Sequence, residues 1–76
     1  QQFYPILIKG CDRLDNLRTL TQCEQTFQDK QVKETKEKYY PVFQQLSYLA
    51  PNQYLNAAAT KLFSLIQNQI KELEHV

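Results

Sequence analysis

Residues 53–74 read QYLNAAATKLFSLIQNQIKELE. Leu55, Ala58, Ala59, Leu62, Ile66, Ile70 and Leu73 recur there at spacings of three and four. That is the period that lines one face of an α-helix. Tyr54, Ala57, Phe63 and Leu65 widen the apolar surface, and Lys71, Glu72, Glu74 and His75 make the last turn polar. Just upstream stands Ala50-Pro51-Asn52. A residue before proline is pushed out of helical geometry, and Asn caps a helix N-terminus well. The pattern predicts a helix over 53–74 that forms the spine of the core.

Working upstream, Val32, Tyr39, Phe43, Leu46 and Ala50 form one stripe that continues across Pro41. Tyr40 precedes the proline, so a break or kink is expected there, giving a kinked helix or two short helices in line. Lys30–Glu34, Lys33–Glu37 and Glu34–Lys38 each lie four apart. Such pairs support an exposed helix by roughly 0.2–0.5 kcal/mol each. The run therefore reads first as a solvated helix face, and secondarily as a contact surface for a charged partner.

Residues 17–29 carry Leu17, Leu20 and Phe27 on one side of a predicted helix, with Cys23 on or beside it and Asp29 as its boundary. The segment from Pro5 to Leu14 is expected to be a short helix or an extended arm. Pro5 is tolerated in a first turn, whereas Gly10 weakens a helix interior. Ile6-Leu7-Ile8 has the composition of a short strand, but no second strand exists to pair with it.

Cys11 and Cys23 are the only cysteines. A straight helix from 11 to 23 would separate their Cα atoms by about 18 Å, whereas a disulfide needs less than about 7 Å. Either the chain folds back between them and they pair, or a helix holds two thiols apart. Leu14-Asp15-Asn16-Leu17 is the best turn candidate, because Asp and Asn favour turns and caps. The expectation is an N-terminal hairpin closed by a Cys11–Cys23 disulfide, worth about 3 kcal/mol on chain-entropy grounds. The alternative is two buried, inert thiols in a cytosolic protein.

The whole chain of 76 residues fits one helical domain, residues 1–76. Its single glycine and the lack of Asn-Gly or Asp-Gly leave too few tight turns for an all-β fold. The fold class is all-α, a small bundle of three to four helices. A net charge of +1 with interspersed signs lacks the basic stripe of a nucleic-acid binder. No apolar run is long enough for a transmembrane span. The chain starts Gln1-Gln2 and contains no Met, which points to a processed chain or an excised fragment.

No catalytic constellation is apparent. His75 is the only histidine and stands next to the C-terminus, without partners for metal binding or base catalysis. The carboxylates sit beside lysines and arginines on polar faces, and one glycine leaves no phosphate loop. No cofactor is expected. The aromatic content is the remaining signal: Tyr39, Tyr40, Tyr48 and Tyr54 cluster around Pro41 and Pro51. Tyrosine combines a large apolar body with a polar tip and is enriched at protein interfaces, although rings at the rim of a small core would look the same.

The function expected from these features is a small exported, non-enzymatic protein-binding module. It would be of inhibitor, immunity-factor, effector or signalling-ligand type, docking a helical face on a protein partner through Tyr39, Tyr40, Tyr48 and Tyr54. Its location would be secreted or periplasmic, or cytoplasmic if the cysteines are free. The first alternative is a carrier of an apolar ligand or a lipid-surface binder, drawn from the wide apolar face of 53–74. The second is an intracellular helical module from a larger protein.

Overall fold

Every element of the computed structural model, which describes residues 3–74, is helical, and no strand occurs among those residues. Helix α1 spans Phe3–Arg18. A single 3-10 turn, Leu20–Gln22, and an extended Cys23 and Glu24 lead into α2, Gln25–Glu34. A π turn over Thr35–Tyr39 then runs directly into α3, Tyr40–Leu49. Helix α4 spans Gln53–Glu74, as the periodicity predicts. At 1.5 Å per residue α4 is about 33 Å long. It sets the long axis of a molecule measuring 39 × 17 × 16 Å.

Helices α1, α3 and α4 enclose the core. Phe3, Leu14 and Leu17 come from α1, Phe43 and Leu46 from α3, and Ala59, Leu62, Ile66, Ile70 and Leu73 from α4. Leu17, Leu46, Ile66 and Ile70 are almost completely inaccessible. Each such aliphatic side chain contributes roughly 1.5–3 kcal/mol relative to exposure. Helix α2 contributes only Val32.

The N-terminal third corrects the expected hairpin. Helix α1 runs straight through Asp15 and Asn16, which lie exposed on its outer face. On the opposite face Leu14 and Leu17 are buried. Burial of these leucines outweighs the weak local preference of Asp and Asn for turns. The chain reverses later, between Thr19 and Glu24. Thr19 donates from both its amide and its hydroxyl to the Asn16 carbonyl, and Gln69 of α4 donates to the Leu17 carbonyl. Cys11 is thereby held mid-helix on α1 and Cys23 in the extended link; both are free and exposed, so the predicted disulfide is absent. The predicted boundary at Asp29 is also displaced. Helix α2 passes through it, and Phe27 is half exposed rather than in the core.

Gly10 does not interrupt α1. It lies on the buried face, where a Cβ would stand 2.6 Å from Leu62 Cδ2 and 3.1 Å from Phe43 Cζ. The missing side chain lets α1 approach α3 and α4 closely.

The kink expected at Tyr40 takes the form of the π turn. Pro41 has no amide hydrogen, and its ring crowds the carbonyl four residues back, that of Glu37. A wider turn in front of the proline relieves that contact. The Tyr40 amide accordingly donates to the Thr35 carbonyl, five residues back. Thr35 itself is fully buried, and its hydroxyl donates to the Gln31 carbonyl. At the α3–α4 corner Ala50 is extended, as its position before Pro51 requires. Asn52 Oδ1 accepts the Leu55 amide at 3.0 Å and caps α4.

Candidate functional site

The four singled-out tyrosines divide between the end of the π turn and the α3–α4 corner. Tyr39 and Tyr40, adjacent in the chain, both turn inward, toward different neighbours. Tyr40 meets Phe63 of α4 edge-on, with ring centroids 5.2 Å apart. Tyr39 meets Phe43 at 5.7 Å, and Phe43 meets Phe63 at 6.3 Å, also edge-to-face. These geometries suit the ring quadrupoles. Burial pushes the Tyr40 phenol above its ordinary value; Lys36 partly opposes the shift and Glu74 adds to it.

Tyr39 also belongs to a polar cluster around Arg13. The Arg13 guanidinium donates to Glu34 Oε1 at 2.7 Å, to the Tyr39 hydroxyl at 2.9 Å and to Gln31. Its central carbon lies 4.3 Å from the centre of the Tyr39 ring. Burial alone would lower the Arg13 pKa, but the hydrogen bonds and charges of Tyr39 and Glu34 outweigh it and raise the value. The group stays charged and serves as a tether of α1 to α2 and the π turn. Sequence inspection missed this residue. The available signal was its position: 10, 13, 14 and 17 share one helical face, so an arginine at 13 points inward.

Tyr48 and Tyr54 occupy a different place. They flank the α3–α4 corner and are 86 % and 78 % exposed, with Leu49 between them half exposed. Asn56 Nδ2 donates to the Ser47 carbonyl at 3.1 Å and holds this corner together. The four tyrosines thus form two pairs, one half-buried against the core and one presented to solvent.

Grooves open on the surface of the described residues. One, of about 510 Å³, lies between α2 and the end of α4 with Val32 and Leu73 at its floor. Another, of about 350 Å³, lies between α1 and the π turn and α3; it is lined by Ile6, Lys9, Lys38, Tyr39, Val42 and Phe43. No group of three or more His, Cys, Asp or Glu side chains suited to a metal ion occurs among the described residues. No described helix is long and apolar enough to cross a membrane. His75 lies outside the described residues. Comparison with protein-family models, with curated proteins and with solved structures finds no match.

Proposed function

We propose that the chain is a small, non-enzymatic protein-binding module that docks on a protein partner through its α3–α4 corner. The observation that carries this is the exposure of Tyr48, Leu49 and Tyr54 together at one capped corner. Large apolar side chains left in water on a structured platform are the residues that anchor interfaces. Tyrosine has few rotatable bonds, so little entropy is lost when it is fixed against a partner. Tyr39 and Tyr40 support the platform from within and do not belong to the contact surface.

The test places a photo-crosslinking residue at position 48 or 54 in cells that express the chain, with position 15 on the outer face of α1 as control. Positions 48 and 54 should yield one common protein adduct that position 15 does not. The variant Tyr48→Ala/Leu49→Ala/Tyr54→Ala should lose at least about thirtyfold in affinity for the purified partner while melting like the parent. Adducts at position 15 alone, or unchanged affinity of the triple variant, would refute the corner as the docking surface.

We propose a reducing compartment for this module, with export as the alternative. Two exposed cysteines on separate elements persist as thiols in a reducing compartment. In an oxidising compartment each exposed cysteine would favour pairing with a thiol of another molecule. Intact mass after alkylation, with and without reductant, separates the two cases.

A further inference from the structure

The groove between α1 and α3 has a one-sided chemistry. Its floor is apolar: Ile6, the Tyr39 ring, Val42 and the buried Phe43. Val42 is 42 % exposed, so a β-branched side chain there is left uncovered. The polar groups on its rim are two lysines, Lys9 from α1 and Lys38 from the π turn, both exposed. Among the described residues no carboxylate lines it. The larger groove is ringed by both signs, Asp29, Glu37 and Glu74 against Lys33 and Lys36, and its Lys36 and Glu74 are paired.

Sequence spacing would give Lys38 a partner in Glu34. The structure removes that partner in two ways. Arg13 takes Glu34, and the wide turn over Thr35–Tyr39 takes residues four apart out of alignment. Among the described residues neither Lys9 nor Lys38 forms an ion pair. Their aliphatic stems can extend the apolar walls while the ammonium groups stay at the rim.

We propose that this groove binds an anionic amphiphile: a carboxylate head held by Lys9 and Lys38, with an unbranched apolar tail lying over Ile6, Val42 and Phe43. Its volume is near the lower end of the roughly 300–1,000 Å³ typical of small-molecule sites, enough for one chain of about ten carbons. The site is separate from the Tyr48–Tyr54 corner and does not depend on it.

The test is an NMR titration of the full chain with decanoate kept below its micelle threshold. Decan-1-ol shares the tail without the charge, and decyltrimethylammonium reverses the charge. Decanoate should shift the Ile6 and Val42 methyl signals and bind about tenfold more tightly than decan-1-ol, as expected from two exposed ion pairs. The ammonium compound should bind more weakly still. Lys9→Ala/Lys38→Ala should remove the preference for decanoate without changing the melting temperature. Val42→Asp, also at an exposed position, should abolish decanoate binding. Vesicles of phosphatidylglycerol should not compete for the site. Several outcomes would overturn the proposal: no methyl shift, shifts confined to the α2–α4 groove, equal affinity for decanoate and decan-1-ol, an undiminished preference in the double variant, or binding to vesicles in place of free decanoate.

Discussion

Gly10→Ala is the substitution for which local preference and tertiary packing disagree most directly. In an isolated helix, alanine would be favoured over glycine by about 1 kcal/mol. Here the new Cβ would lie 2.6 Å from Leu62 Cδ2 and 3.1 and 3.2 Å from two Phe43 ring carbons. Carbon atoms rest at about 3.5–4.0 Å, so the leucine methyl must retreat by about 1 Å. It has little room to do so, because Leu62 is 7 % and Phe43 4 % exposed. Overpacking of this kind costs about 1–3 kcal/mol. The packing cost should exceed the helix gain, leaving the variant about 1 kcal/mol less stable. For a domain of this size that corresponds to a fall of about 4–8 °C in Tm. Urea unfolding followed by circular dichroism measures the difference. The double variant Gly10→Ala/Leu62→Ala supplies the internal control. Leu62→Ala alone should cost about 2–5 kcal/mol, and adding Gly10→Ala to it should cost nothing or restore stability, because the methyl then enters vacated space. That sign reversal is the coupling a double-mutant cycle reports. If Gly10→Ala alone is more stable than the parent, the close approach of α1 to α4 is wrong.

Four further outcomes follow from the same structure. Arg13→Met should cost about 2–3 kcal/mol in urea unfolding, since it removes three hydrogen bonds across elements and leaves their acceptors to find water. Glu34→Gln should cost less than about 1 kcal/mol, because the Glu34 side chain is 36 % exposed; equal losses would contradict this. Amides of Gln25–Glu34 should exchange with deuterium well before those in the middle of Gln53–Glu74, because α2 buries only Val32, and uniform protection along the chain would show α2 to be part of the core. Tyr40 has a folded-state pKa above its ordinary 10.0, so its contribution is complete below that pH and is lost as the pH rises through the higher folded value. Tyr40→Phe should flatten the alkaline fall in stability, and an unchanged alkaline limb would remove Tyr40 as its source.

The C-terminal half was legible in the sequence because its signals are strong and agree with one another. Seven apolar positions at helical spacing, a proline and a capping Asn all place the start of α4 at the same residue. The N-terminal half was not, because local and tertiary preferences conflict there. Gly10, Asp15 and Asn16 each argue against a helix on their own. Together with Phe3, Leu14 and Leu17, however, they sort cleanly by face: glycine on the buried side and the two polar residues outside. A pattern read over sixteen residues of α1 would have outweighed the three single-residue signals. The cysteines added to the error, because an even count favoured a fold-back that the leucines do not permit.

The tyrosines show how two prolines divide a cluster that looks uniform in sequence. In a regular α-helix adjacent residues point about 100° apart, and only one of two neighbours faces a given partner helix. Tyr39 and Tyr40 are both accommodated because their segment packs against both α1 and α4: Tyr39 meets Arg13 of the first and Tyr40 meets Phe63 of the second. Tyr48 and Tyr54 lie at the corner where the chain passes from α3 to α4 at Pro51, and both are left largely exposed there. Proximity to a proline was the common sequence signal, yet the two prolines act in opposite ways. Pro41 lies inside a helix that continues, and the widened turn before it keeps its aromatic neighbours against the core. Pro51 ends a helix, and the aromatic residues beside it are left in solvent. The same widened turn leaves Lys38 unpaired beside Val42. One proline therefore underlies both the supported aromatic platform and the charged rim of the α1–α3 groove, while the other creates the exposed corner.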